Sequence, residues 1–166
     1  QLANPTATTV PGFASGVTDM VTGHNFTCAV RSGILYCWGN AQDDQLGYVF
    51  AGSRNYVPTA VTNSTGPYTQ LSAGGGNVCF VQSGAAKCWG DNYSGQLAAG
   101  STTLSSVTPL SALPATVTSI EVGQLHICAE RNGALYCWGN NYNGQLGTST
   151  NYGVYQANPT PTIVAY

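Results

Sequence analysis

The sequence predicts an all-β protein made of three copies of one antiparallel-sheet repeat of roughly 50 residues. Three observations carry this reading. A Cys-Trp-Gly motif recurs in register three times. The residues between paired cysteines have the chemistry of tight hairpin turns. No segment longer than a turn or two shows helical periodicity.

The repeat is defined by Cys37-Trp38-Gly39-Asn40, Cys88-Trp89-Gly90-Asp91 and Cys137-Trp138-Gly139-Asn140, spaced 51 and 49 residues apart. Eight residues beyond each cysteine stands Gln45-Leu46, Gln96-Leu97 or Gln145-Leu146. Nine residues before each stands Cys28, Cys79 or Cys128, and five before that Gly23, Gly74 or Gly123. The copies run over about 5–56, 57–106 and 107–156 of a single 166-residue domain. Residues 157–166 are then the start of a fourth repeat or an inter-subunit tail.

Each cysteine pair brackets a two-residue turn: Ser32-Gly33, Ser83-Gly84 or Asn132-Gly133. A small polar residue followed by Gly accepts the positive φ that matches strand twist. With the turn placed there, Arg31 faces Ile34 and, three steps out, Cys28 faces Cys37. The same count pairs Cys79 with Cys88 and Cys128 with Cys137. Alternation makes each a non-hydrogen-bonded pair with Cα atoms roughly 4.5 Å apart, a separation a disulfide accepts. Zinc sites favour close Cys-x2-Cys pairs, which this chain lacks, so no metal is expected. Three disulfides imply an oxidising compartment. Elsewhere Val117-Thr118-Ser119-Ile120-Glu121-Val122 alternates as a half-buried strand does. Val57-Pro58-Thr59-Ala60-Val61 and Val107-Thr108-Pro109-Leu110 separate the copies.

Composition excludes several function classes. Only 6% of residues are charged, against about 25% in ordinary soluble domains. Arg31, Arg54, Lys87 and Arg131 are the only basic side chains, and the net charge is -2. Four scattered cations cannot release counterions as a nucleic-acid binder must. No apolar run approaches the length of a membrane span. Little charge repulsion keeps copies apart, so attached sugars or regular self-association is expected. The first residue is Gln1; a removed signal peptide and a truncated start read alike.

The third copy, with His126, Cys128, Ala129, Gly133, Leu135, Tyr136, Cys137, Trp138, Gly139, Asn140, Gly144, Gln145, Leu146 and Gly147, resembles the repeat of the regulator of chromosome condensation (RCC1) superfamily, in its cysteine-bearing extracellular version. The resemblance covers nearly the whole chain. It implies three RCC1-like β-propeller blades of four antiparallel strands each. The fold does not by itself imply a function. The chain departs from the pattern where Phe26 and Asn77 replace the family histidine, Asp44 replaces the Gly before Gln45, and Ala98 replaces the Gly after Leu97. It also lacks the charged surfaces of members that act on chromatin or in nucleotide exchange, so those activities are not carried over.

Three blades cannot close a ring, which needs about four. The expected architecture is therefore an incomplete ring that continues through neighbouring chains, its exposed sheet edges inviting pairing. Ala3-Asn4-Pro5-Thr6 recurs as Ala157-Asn158-Pro159-Thr160, an offset of 154 residues. A head-to-tail contact of this kind gives a ring or a filament; a piece of a longer propeller is the alternative.

Three sequons, Asn25-Phe26-Thr27, Asn63-Ser64-Thr65 and Asn92-Tyr93-Ser94, make Asn25, Asn63 and Asn92 candidate N-glycosylation sites. The Ser/Thr/Pro stretches are compositional candidates for O-linked sugars. Trp38, Trp89 and Trp138 could stack on sugars, but one Trp at the same place in each copy reads first as packing between sheets, with Gln45, Gln96 and Gln145 beside it in the repeat core. Tyr93 and Tyr142 are better candidates for surface contacts. His24 and His126 sit at different repeat offsets and make no symmetric site. Asp43-Asp44 is the only acidic pair, with no useful separation for paired-carboxylate chemistry. Gly74-Gly75-Gly76 lacks the Lys-Ser/Thr of a phosphate loop and reads as a tight bend. No acid, base and nucleophile set is evident, and neither catalysis nor a cofactor is expected. The leading expectation is a secreted, glycosylated structural protein that assembles with copies of itself through blade edges; the alternative is an extracellular module that binds carbohydrate or protein.

Overall fold

The computed structural model describes residues 6–102 and 105–165. Ala3-Asn4-Pro5, the first half of the terminal repeat pair, lies outside the described residues. Twelve strands and no helix are found among those described. They form three four-stranded antiparallel meanders. The first blade contains β1 (Val17–Gly23), β2 (Phe26–Arg31), β3 (Ile34–Asn40) and β4 (Arg54–Thr65). The second contains β5 (Gln70–Gly74), β6 (Asn77–Gln82), β7 (Ala85–Asp91) and β8 (Ser105–Leu113). The third contains β9 (Val117–Val122), β10 (His126–Arg131), β11 (Ala134–Gly139) and β12 (Asn158–Ile163).

Turn chemistry sets the central hairpin of every blade. Ser32, Ser83 and Asn132 have φ of 51°, 51° and 53°, each followed by a Gly with φ of 74–77°. This left-handed pair twists the chain as the flanking strands twist. Arg31 therefore pairs Ile34, and Cys28 pairs Cys37; Cys79–Cys88 and Cys128–Cys137 follow in the other blades. All three disulfides form, with Cα atoms 4.1–4.2 Å apart. The glycine of Trp-Gly is needed for a different reason. Gly39, Gly90 and Gly139 have φ of 118°, 106° and 102°, and a Cβ on any of them would lie 2.1–2.6 Å from a backbone oxygen of the preceding turn. That closeness lets Asn40, Asp91 and Asn140 donate their N–H groups to Asn25, Gly76 and Leu125.

The blades pack face to face. The front face of the first blade (Phe26, Cys28, Val30, Leu35 and Cys37) shares a core with Val78, Phe80 and Trp89 on the rear face of the second. The front face of the second (Cys79, Val81, Ala86 and Cys88) shares one with Val117, Ile120, Ile127, Ala129 and Trp138 on the rear of the third. Strand alternation thus places the disulfides on the front and the tryptophans on the rear of each sheet. The three open, non-closed sheets form an incomplete ring.

Residues 158–163 form β12, which pairs with β11 as the outer strand of the third blade. Each sheet's outermost strand runs past the repeat boundary: β4 and β8 cross the boundaries at 56 and 106, and β12 lies wholly beyond 156. Pro58, Pro109, Pro159 and Pro161 sit in the outer strands β4, β8 and β12, where a missing N–H blunts further pairing. The unfinished surfaces are sheet faces: the rear of the first blade and the front of the third.

Replacing Cys79 and Cys88 together by Ala should lower the unfolding free energy by about 2–3 kcal/mol, the chain-entropy value for so short a loop. Urea denaturation of the double variant against the parent measures it.

Candidate functional site

The recurring polar structure of the chain is the loop after each Trp-Gly. In the second blade, Asp91 accepts from the Tyr93 N–H at 2.9 Å, and the Gln96 side chain accepts from the Ser94 N–H while donating to Asp91. In the third, Asn140 accepts from Tyr142 and Gln145, and Gln145 accepts from Asn143. In the first, Asn40 accepts from Gln42 and Gln45 from Asp43. Side-chain amides, joined by the Asp91 carboxylate in the second blade, thus hold a loop that has little regular backbone pairing.

The loop's purpose in the fold is to aim one carbonyl at the next blade. The Trp89 indole N–H donates to the Gln45 carbonyl at 3.0 Å, and that of Trp138 to the Gln96 carbonyl at 2.7 Å. Both indoles are fully buried, as are Gln45 and Gln96. Trp38, on the open rear face, is only half-buried and lies against Phe13 at 5.6 Å between ring centroids. Gln145, facing the open front of the third blade, is half-buried as well. The departures Asp44 and Ala98 still adopt the conformation a glycine would favour, with φ of 59° and 55°.

The three sequons differ. Asn25, in the β1–β2 turn, and Asn63, near the end of β4, are exposed. Asn92 is 0% exposed; its amide donates to the Ser101 carbonyl and its oxygen accepts from the Leu97 N–H. Asn141 does the same in the third blade with Thr148, Thr150 and Leu146. Asn92 is a loop-building residue, and a glycan on its Nδ2 has no room. The sequence signal that finds this is the matching asparagine at 141, one place beyond Trp-Gly-x.

Aromatic exposure concentrates beside these loops. Tyr93 and Tyr155 are 79% and 85% exposed and line a cleft of about 680 Å³ with Gly100, Ser101, Thr102 and Pro159. Tyr155 stacks on Tyr142 at 4.3 Å. Tyr142 is thereby partly covered by its own chain. Asp43 lies near Asp91, Asp44 and His24; burial first, then the neighbouring carboxylates, push its pKa up, while His24 pulls it down. Burial holds His126 below the ordinary histidine value. Gly74-Gly75-Gly76 forms the β5–β6 turn, with the Gly75 carbonyl accepting from the His24 N–H at 2.8 Å; a Cβ on Gly75 would meet the Gln124 carbonyl at 1.9 Å. Among the described residues no cluster of three or more His, Cys, Asp or Glu could hold a metal ion. The three disulfides are compatible with an extracellular location.

Trp89→Phe should destabilise the fold by about 1–3 kcal/mol because it leaves the buried Gln45 carbonyl without its donor; Trp38→Phe should change stability far less. Paired chemical denaturation curves test the contrast. Asp43→Asn should raise the melting temperature at neutral pH. The raised pKa means that the ionised form opposes folding, so the gain should vanish as pH falls below 3.8. A series of thermal melts against pH checks this sign.

The match to known proteins agrees with this geometry. Two models of the regulator of chromosome condensation (RCC1) repeat match residues 132–166 and 117–145. No curated protein sequence matches the chain. Human WBSCR16 superposes with a TM-score of 0.74 at 26% identity, over 90% of this chain and 40% of that one. Yeast RCC1 (Prp20), solved bound to Kap60, gives 0.78 at 18% identity over 91% and 37%. Prp20p from Saccharomyces cerevisiae, described with its binding to Gsp1p and histones, gives 0.71 at 19% over 91% and 39%. The chain therefore spans about 40% of the length of these structures. With RCC1 repeats matched in its last 50 residues and the same blade architecture throughout, this chain is an RCC1-like β-propeller module.

Proposed function

We propose that this chain is a secreted, N-glycosylated structural subunit that associates head-to-tail with copies of itself, through blade faces and not blade edges. One observation carries the reading. The chain contains two complete joints between blades, and the described residues leave uncovered two faces of the same kind, the rear of the first blade and the front of the third. Leu35 is fully buried inside the first joint, while Leu135, its counterpart on the open front face, is 41% exposed. Large apolar side chains left on an open face favour association. The low charge of the surface removes the usual opposition to it.

The three disulfides support an oxidising compartment, and the exposure of Asn25 and Asn63 supports N-glycosylation there. A second reading has its own observation: the cleft bearing Tyr93 and Tyr155 offers exposed aromatic faces beside hydroxyl-bearing Ser101 and Thr102. Such a surface suits a sugar ring, and saturable glycan binding by a non-assembling chain would favour it. The catalytic and exchange activities of other propellers are not part of the proposal.

The chain from a eukaryotic secretory host should lose the mass of two N-glycans on enzymatic deglycosylation. Asn92→Gln should leave that mass loss unchanged, whereas Asn25→Gln and Asn63→Gln should each remove one glycan. Sedimentation should show species larger than the 17.2 kDa chain growing with concentration, and negative-stain microscopy should show rings or fibrils. A monodisperse monomer at every concentration overturns the assembly reading.

A further inference from the structure

We infer that the joint between copies repeats the joint between blades: the rear face of one copy's first blade docks on the front face of another copy's third, and the Trp38 indole N–H donates to the Gln145 carbonyl of that copy. This rests on the assembly reading and specifies its contact. Inside the chain, both joints use one bond of this kind, Trp89 to Gln45 and Trp138 to Gln96. The open rear face of the first blade and the open front face of the third carry one half each. No hydrogen bond of the Trp38 indole N–H is found among the described residues, and Gln145 lacks the cover that buries Gln45 and Gln96.

The surrounding side chains match the same scheme. Ile120 is 1% exposed in the joint between the second and third blades, while Met20, at the same repeat position on the open rear face, is 68% exposed. Val17 and Val117 are related in the same way, 41% against 5%. Met20, Val17, Phe13 and Trp38 line a cavity of about 350 Å³. Leu146, Gly147, Thr162 and Ile163 line one of about 560 Å³ on the other end. Glu130 stands where Val30 and Val81 are buried, but it is bonded within its own blade to Thr118 and to the Gly133 N–H. Its carboxylate is thus engaged within its own blade beside its cross-strand partner Leu135, which carries the apolar contact at that level of the front face. Because the two faces differ, the contact is heterologous and each docked copy offers a fresh face. A second copy of this chain is the occupant that continuity with the two existing joints selects.

The test uses the full glycosylated chain and two substitutions on exposed side chains, Met20→Glu to block the rear face and Leu135→Glu to block the front, with circular dichroism confirming the fold. In analytical ultracentrifugation each variant alone should be monomeric, and an equimolar mixture should give one-to-one dimers and nothing larger. Trp38→Phe, which keeps the ring and removes the donor, should weaken association by about tenfold, the worth of one hydrogen bond. If the parent chain assembles and both variants assemble like it, the assembly reading stands and this joint is wrong. Self-dimers of Leu135→Glu would show a like-with-like contact and also overturn it. A monomeric parent removes both the joint and the reading beneath it.

Discussion

The structure depends on one hydrogen bond made twice: a tryptophan indole N–H on one blade reaching a backbone carbonyl in the loop of the blade before it. Both partners are buried, so each would be costly to leave unmade. The bond couples the aromatic payload of one sheet to the loop geometry of another. It explains why Cys-Trp-Gly and Gln-Leu recur together at fixed distance: the Gln side chain shapes the loop, and its own carbonyl receives the neighbour's indole. A blade without neighbours leaves half of this arrangement open on each face, so stability accrues by stacking, as in other repeat proteins.

The sparse charge of the chain has a structural counterpart. Loops that other proteins hold with ion pairs are held here by amides. Asn40, Asn140, Asn92, Asn141, Gln96 and Gln145 all bond to backbone or to side chains within their loops, and the Asp91 carboxylate takes the place of Asn40 and Asn140 in the second blade. Neutral amides donate and accept at once and are cheaper to bury than charges. The surface that remains is polar without being repulsive, and its two ends are apolar.

The central hairpins were legible because their information is local. A Ser-Gly or Asn-Gly pair sets the turn, the turn sets the register, and the register brings each cysteine opposite its partner. The outer strands were not legible in the same way. They follow loops that vary in length and sequence, and their partners lie some 20 residues back, as Gly139 with Asn158, so the repeat phase seen in the cysteines does not mark where a blade ends. Asn92 shows a second limit. Its sequon is intact, yet burial removes its amide from solvent, and burial is a property of the whole loop. Tyr142 shows a third: its turn position was readable, but its stacking on Tyr155 was not.

By itself the sequence determined the repeat, from motifs 51 and 49 residues apart, and the hairpin turns, the three disulfide pairs and the all-β class, because these follow from residues within about ten positions of one another and from the two-residue period of a strand. Only the tertiary structure decided that the tryptophans donate to the preceding blade's carbonyls, that the last segment completes the third blade, and that the open surfaces are faces with proline-blunted edges. These are set by which sheet lies against which; Trp-Gly and Gln-Leu recur at fixed spacing, but spacing alone does not say which blade's carbonyl receives which indole.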